Sequence, residues 1–278
     1  MIVTQPAANL PLFNHTRCVE RVVFSESGSV TMTVVVAFVS RKGGVGKSTL
    51  ARALATVAAR RGLITTLADL DATHQTSTRW QHLREREGAY PPLAVHRYGN
   101  VDSAITREGD CDLLIVDAPS NTPELTAEVA SVAHFTVQPA GSSFDDLQPA
   151  MELFYELRAG GVPKSRLHIA LSRLLDPAEE EAARAYVEVA DFSLLPGAVV
   201  ERARYREAHN QGLAFIECAG EPLNGSAGIL LSALLTKIMQ KHRLLHEDKL
   251  ATAPPDLATA QFAQRPVRGL SSYSKAAS

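Results

Sequence analysis

Residues 33–49 read Thr33-Val-Val-Val-Ala-Phe-Val-Ser40 and then Arg41-Lys42-Gly43-Gly44-Val45-Gly46-Lys47-Ser48-Thr49. The first eight are mostly β-branched and apolar, the composition of a strand buried on both faces. A glycine-rich turn follows, and from Ser48 to Arg61 the pattern is helical. Strand, glycine turn and helix in that order are the setting a phosphate-binding loop requires. Gly43, Gly44 and Gly46 let the backbone curl so that its N–H groups, those of Val45 and Thr49 included, can face phosphate oxygens, and the helix adds its positive N-terminus. Lys47 is long enough to reach the β and γ phosphates, and Ser48 offers a hydroxyl to Mg2+. The ordinary spacing would place one more glycine where Arg41 stands, and here Lys42 comes next.

Outward from this unit the chain alternates. Strand patterns at Leu63–Leu70, Leu113–Val116, Phe135–Pro139 and Leu167–Leu171 are interleaved with helical ones at Gln75–Glu87, Thr122–Ser131, Phe144–Arg158 and Pro177–Val189. That order predicts an α/β fold with a doubly wound, mostly parallel sheet flanked by helices. Ile229, Leu230, Ala233, Leu234, Ile238 and Leu245 predict a closing amphipathic helix over Gly225–His246. Residues 1–31 show no comparable period, and the run beginning at Met32 would itself make a natural chain start, so they are expected to be a poorly ordered extension. Residues 249–278, rich in Pro and Ser, are expected to form a flexible tail. At about 150 residues per domain, the length of 278 leaves one or two domains open, and the continuous alternation favours one over 32–248.

Composition narrows the classes further. With 45% hydrophobic and 21% charged residues the chain can bury a core. Its 28 basic and 30 acidic side chains leave a net charge of −2, which excludes a wholly basic binding protein and confines any nucleic-acid contact to a local patch. No apolar run reaches about 18 residues, and the opening lacks the charged start and apolar stretch of a signal peptide, so a cytoplasmic location is expected. Cys18, Cys111 and Cys218 are scattered without a CxxC pair, which argues for packing residues and against a cysteine-ligated metal.

The run Lys42-Gly-Gly-Val-Gly-Lys47-Ser48-Thr49 resembles the deviant phosphate loop of the ParA/MinD superfamily of ATPases. The resemblance implies ATP with Mg2+ as ligand, and it assigns Lys42 to a nucleotide-sandwich dimer in which this lysine reaches the partner's phosphates. Asp69-Leu70-Asp71 at a strand end resembles the family's second motif, implying that Asp71 positions the attacking water while Asp69 supports the metal site or the loop. The same pair would also serve as helix cap and turn former. The family usually continues Pro-Gln, whereas this chain places Ala72-Thr73-His74 before Gln75, one residue more; Trp80 still matches members with a tryptophan after this loop. Leu113–Asp117 looks like a Walker B strand whose Asp117 holds Mg2+ directly or through water, and Ala118-Pro119-Ser120 resembles the γ-phosphate-sensing turn. Ser172 and Arg173 stand where the family often places an adenine contact, and Leu195–Tyr205 resembles its later strand and short basic helix.

Similarity runs from about Thr33 to Met239 and is closest to the short ParA proteins of plasmid partition, since 31 leading residues cannot hold a helix-turn-helix unit. For such proteins the resemblance implies an ATP-dependent homodimer that binds nonspecific nucleoid DNA, and a ParB-like adaptor on the cargo that stimulates hydrolysis. Candidate phosphate contacts on DNA are Arg202, Arg204 and Arg206 in one short segment, and Lys237, Lys241 and Arg243 near the end of the last helix; Glu201 and Glu207 interrupt the first group, and either group also reads as a solvated face. A MinD-like membrane ATPase would need a basic amphipathic C-terminal helix, which Pro254, Pro255, Pro266 and Gly269 would break, so no membrane is expected. A positioner of non-DNA cargo, such as a chemoreceptor cluster or a protein compartment, would carry the same motifs. An iron-sulfur carrier of the superfamily would need cysteine ligands, and Cys111 has no neighbour in sequence.

Overall fold

The computed structural model describes residues 33–109, 111–218 and 225–252. The expected extension over 1–31 and the tail beyond 252 lie outside the described residues. Contacts divide the chain into two units, 1–242 and 243–278. The first holds the whole sheet. Of the second, the described part is the end of the last helix.

Seven strands, β1 (Val34–Phe38), β2 (Thr65–Asp69), β3 (Ala94–Arg97), β4 (Leu113–Asp117), β5 (Phe135–Ala140), β6 (Leu167–Leu174) and β7 (Ser193–Val200), form one sheet in the order β3-β2-β4-β1-β5-β6-β7. Every pairing is parallel. The connecting helices are α1 (Lys47–Arg60), α2 (Thr76–Arg86), α3 (Val101–Arg107), α4 (Pro123–Val132), α5 (Phe144–Ala159), α6 (Pro177–Val189), α7 (Ala203–Asn210) and α8 (Ser226–Thr252).

The phosphate-loop strand is central because its sequence is the most apolar: every residue of β1, β2 and β4 is buried. Successive side chains of β1 point to opposite faces. Val35, Ala37 and Val39 join Val116 of β4, Ala104 of α3, Val129 of α4, Phe154 of α5 and Val187 of α6 in one core, while α1 contacts β1, β2, β4 and β5. Strand order reverses at β1, with β4 on one side and β5 on the other. Doubly wound sheets bind ligands at such a reversal, beyond the carboxyl ends of the strands.

Two elements carry no clear signal in the sequence. β3 is an edge strand of four residues, three of them exposed or charged, and therefore lacks the apolar run that marks the inner strands. α3 spans seven residues, too short to display a helical period; it is set by Asn100, whose side chain accepts from the Ser103 N–H at 2.8 Å. The closing helix runs to Thr252, six residues past the expected end, so residues 249–252 of the expected tail are helical. α8 begins against β7 at Gly197, where a Cβ would meet the Ser226 carbonyl oxygen at 2.2 Å and φ is +76°, so a side chain has no room there.

Candidate functional site

The loop between β1 and α1 wraps the start of the helix as the glycines predict. Gly44 and Gly46 have φ of 76° and 103°, a backbone that other residues adopt only under strain. Ser172 Oγ donates to the Val45 carbonyl at 2.6 Å, and Arg173 Nη1 donates to the Gly44 carbonyl at 2.9 Å. The two residues expected near an adenine therefore brace the loop from behind and in front; Arg173 does so with a left-handed φ of 59°, beside a register shift between β6 and β7. An open cavity of about 760 Å3 lies over the loop, lined by Gly43, Gly44, Gly46, Lys47, Ser48 and Thr49 together with Asp71, His74, Asp117, Ser120, Ser172 and Arg173. Residues from the ends of β1, β2, β4 and β6, far apart in sequence, thus converge at the carboxyl edge of the sheet.

The two loop lysines point to different places. Lys47 is buried and its ammonium donates to Ser120 Oγ in the turn after β4. Burial pulls it below its ordinary range, opposed by the charges of Asp117 and Asp71. Lys42 is half-exposed, and its Nζ lies 2.5 Å from Asp146 Oδ1 at the start of α5. The neighbouring Arg41 pairs with Glu152 and Glu156 of the same helix.

Asp117 ends β4 at 2% exposure. Its Oδ2 accepts from Ser77 Oγ at 2.7 Å, and Oδ1 is buried with no hydrogen-bond partner. Burial pushes this carboxyl up, against the Ser77 and Ser48 hydroxyls and Arg52. A buried carboxylate oxygen without a partner is unfavourable, and Ser48 Oγ lines the same cavity. A divalent cation at this place would satisfy the oxygen and reverse the effect of burial, so the donor set fits Mg2+.

The two aspartates at and just beyond the end of β2 have different surroundings. Asp69 does not line the cavity: it is 1% exposed, its Oδ1 accepts from the Asp71 N–H and its Oδ2 from the N–H and hydroxyl of Thr78. All of these donors belong to the loop and to α2, an arrangement that fits the loop-support side of the expectation for Asp69. Asp71 does line the cavity. Its Oδ1 accepts from the N–H groups of Thr73 and His74 at 3.1 and 2.8 Å, and His74 Nδ1 stands 3.0 Å from Oδ2. Burial works to raise the Asp71 pKa, but the bonds from His74 and Thr73 outweigh it and hold the carboxyl below its ordinary value. The extra residue of this loop is absorbed by a turn closed from Gln75 N–H to the Asp71 carbonyl, with Gln75 at a φ of 50°.

The basic candidates do not meet on one surface. Arg202 is exposed; Arg204 is half-buried with its guanidinium carbon 5.9 Å from the Tyr205 ring centre; Arg206 pairs with Glu201 at 2.6 Å. Glu201 also pairs with Arg173, so this group borders the nucleotide cavity, which Glu201, Tyr205 and Arg206 line. Lys237 and Lys241, both half-buried, stand at the other end of the strands, close enough to bear on His168 near the start of β6 and on His134 before β5. Arg243 belongs to the second unit and is exposed on α8. Residues that sequence reasoning passed over are Ser77 on Asp117, Asp146 on Lys42, and His74 on Asp71. A hydroxyl-rich helix start at Thr76-Ser77-Thr78 was the available sign of the first; the Lys42 pair joins residues 104 positions apart and left none.

Fold and site together define a P-loop nucleotide-binding protein. Residues 36–245 match the model of the CobQ/CobB/MinD/ParA nucleotide binding domain, and the chain belongs to that family. No curated protein matches it. Among solved structures, septum site-determining protein MinD from Pyrococcus horikoshii OT3, complexed with Mg-ADP, is 18% identical over 76% of this chain and 99% of its own, with a TM-score of 0.59. An McdA variant from Cyanothece in complex with ATP is 17% identical over 73% of this chain and 97% of its own, at 0.58. A plasmid partition protein from Borrelia burgdorferi is 14% identical over 74% of this chain and 99% of its own, at 0.54. At these identities the likeness is one of fold. Among the described residues no helix is long and apolar enough to cross a membrane.

Proposed function

We propose that the chain is an ATP-hydrolysing dimerisation switch that positions or segregates cargo, with DNA partition as the reading its sequence favours. The observation that carries it is the divergence of the two loop lysines, Lys47 inward to the turn after the Walker B strand and Lys42 outward to α5. Only an outward lysine is placed to serve a second copy. The loop amides of Gly43 to Thr49 and the Lys47 ammonium hold the phosphates of ATP, while Ser48 and Asp117 hold Mg2+. The bound cation supplies charge neutralisation at the phosphates, which is most of what phosphoryl transfer needs from its site. Asp71, kept ionised by its loop, is a weak base, and its part is to orient water by accepting a hydrogen bond from it. Ser120 accepts from Lys47 and stands where loss of the γ phosphate would be felt.

In this reading ATP joins two copies, each Lys42 leaves Asp146 for the other's phosphates, and hydrolysis returns them to monomers. Dimer and monomer present different surfaces, so the output is binding. Arg206 lines the cavity and is joined through Glu201 to Arg173, and Arg202 and Arg204 lie in the same short segment, which favours this group over Lys237, Lys241 and Arg243 as the phosphate contacts on nonspecific DNA. A ParB-like adaptor on the cargo would stimulate hydrolysis. Residues 32–248 carry this activity, so a chain starting at Met32 is expected to turn over ATP at the full-length rate. The deciding test is fluorescence anisotropy on two unrelated duplexes with ATP, with ADP and without nucleotide. Binding only with ATP, alike for both duplexes and falling by about 0.9 in log-log slope per phosphate contact as salt rises, is expected. No ATP-dependent binding at low salt would replace DNA with a protein or membrane surface.

A further inference from the structure

We infer that His74 is a positioning residue for hydrolysis, holding the carboxylate of Asp71 in the plane from which it orients the attacking water. The inference rests on the reading of Asp71 given above. The amides of Thr73 and His74 fix Oδ1, at 3.1 and 2.8 Å. Oδ2 is met by the imidazole of His74, whose Nδ1, carrying a proton, donates to it at 3.0 Å. A carboxylate held by one oxygen still turns about its Cβ–Cγ bond, because that torsion is broad and roughly two-fold. A donor on the second oxygen removes the freedom while leaving Oδ2 a lone pair for water.

The arrangement depends on the lengthened loop. Ala72-Thr73-His74 precedes Gln75, the Gln75 N–H closes on the Asp71 carbonyl at 2.9 Å, and Gln75 takes a left-handed φ of 50°. This turn brings residue 74 back over residue 71, and both line the nucleotide cavity. His74 is 70% exposed, so it contributes little to the core. Its bond competes with bulk water in the open site and strengthens when bound nucleotide or a second copy covers the cavity. A misplaced water-orienting group acts on the chemical step and leaves ground-state binding alone.

The test is steady-state ATP hydrolysis by the full chain with His74→Ala, His74→Asn, His74→Gln and Asp71→Ala, with binding of a fluorescent ATP analogue measured for each. His74→Ala is expected to lower kcat about tenfold with KM for ATP changed by less than about twofold. His74→Asn, whose side-chain amide nitrogen can take the place of Nδ1, is expected to recover kcat to within about threefold of the parent, and His74→Gln, whose amide reaches too far, is not. A parental kcat in His74→Ala beside an inactive Asp71→Ala overturns the positioning role and leaves the reading of Asp71 standing. Parental hydrolysis by Asp71→Ala overturns that reading itself. A rise in KM with kcat unchanged, or equal loss in the Asn and Gln variants, makes His74 a binding or structural residue and also overturns the inference. Should His74→Ala fail to bind the analogue, the comparison of Asn with Gln decides.

Discussion

Lys42 and Lys47 are five positions apart and do opposite things because one is buried and the other is not. Truncating a buried, hydrogen-bonded charge is severe, so Lys47→Ala is expected to weaken ATP binding roughly a hundredfold, measured by titration of a fluorescent analogue. Lys42→Ala should leave monomer binding within about twofold, since an exposed ion pair is worth about 0–1 kcal/mol, yet abolish ATP-dependent dimerisation in sedimentation velocity. Its pair with Asp146 gives a finer prediction. If Lys42 must leave that carboxylate to reach the partner, Asp146→Asn should tighten the ATP-bound dimer by up to about fivefold, the worth of one exposed ion pair. An unchanged dimer constant would show that the pair does not compete. Asp71→Ala should raise the dimer fraction while turnover falls, because the phosphate cradle is intact and only the water loses its guide.

The helices and the segment after α7 are joined beneath the site by one buried assembly. Trp80 of α2 donates its Nε1–H to the Leu213 carbonyl at 3.2 Å, and the guanidinium carbons of Arg52 and Arg84 lie 5.4 and 5.3 Å from its ring centre. Arg84, 1% exposed, donates to the carbonyls of Pro91 and Gly212 and to both oxygens of Glu217. Glu217 also accepts from Arg60 and from the Ala214 N–H. Gly212, at a φ of +70°, leaves 2.3 Å between a built Cβ and the Arg84 backbone nitrogen, which is why the chain can approach α2 so closely. Glu217→Ala would strand the Arg84 charge in the interior and should lower stability by about 3–5 kcal/mol in urea unfolding. A loss under about 1 kcal/mol would mean that water reaches the guanidinium.

The stretch of α8 from Lys237 to His242 lies near the amino ends of β4, β5 and β6, with His242 Nε2 3.3 Å from Asp112 before β4. Lys241 and Lys237 bear on two histidines, His134 just before β5 and His168 in β6. Burial, aided by Lys241 and Arg166, pulls His134 down to about 4, and burial with Lys237 does the same for His168. Both rings are placed as neutral groups: His134 Nδ1 accepts from the Val35 N–H at 3.0 Å, and His168 Nδ1 is 2.9 Å from Ser193 Oγ. In the unfolded chain a histidine takes up its proton near pH 6.5, and in the fold only near 4. The contribution of these two rings to stability is therefore full above about pH 6.5, falls as pH drops toward 4, and levels below it, with a slope up to about 1.4 kcal/mol per pH unit for each ring; His209, also pulled down to about 4 by burial, adds in the same direction. Urea unfolding at pH 7 and pH 5 should show this, and His168→Met, which cannot titrate, should flatten the difference. An unchanged pH dependence in that variant would place the sensitivity elsewhere.

Local order in the chain was enough for the alternation of strands and helices, the strand–glycine turn–helix unit and the apolar strand that ends in Asp117, because each is written in contiguous residues: a β-branched run, glycines at fixed steps, an apolar run closed by an aspartate. β3 and α3 were not legible, since an edge strand has one partner to satisfy and a seven-residue helix completes too few turns to show a period. The partners were not legible either. Asp69 and Asp71 look alike in sequence, yet one is enclosed by the amides and hydroxyl of its own loop and α2 while the other faces the cavity; the difference arises because β2 ends at Asp69 and the chain has already entered the turn at Asp71. The Lys42–Asp146 pair, the Ser77–Asp117 bond and the split between the two basic groups each join residues tens of positions apart. Such meetings are set by the order in which strands are laid into the sheet, and that order is a property of the packed chain, carried by no single stretch of it.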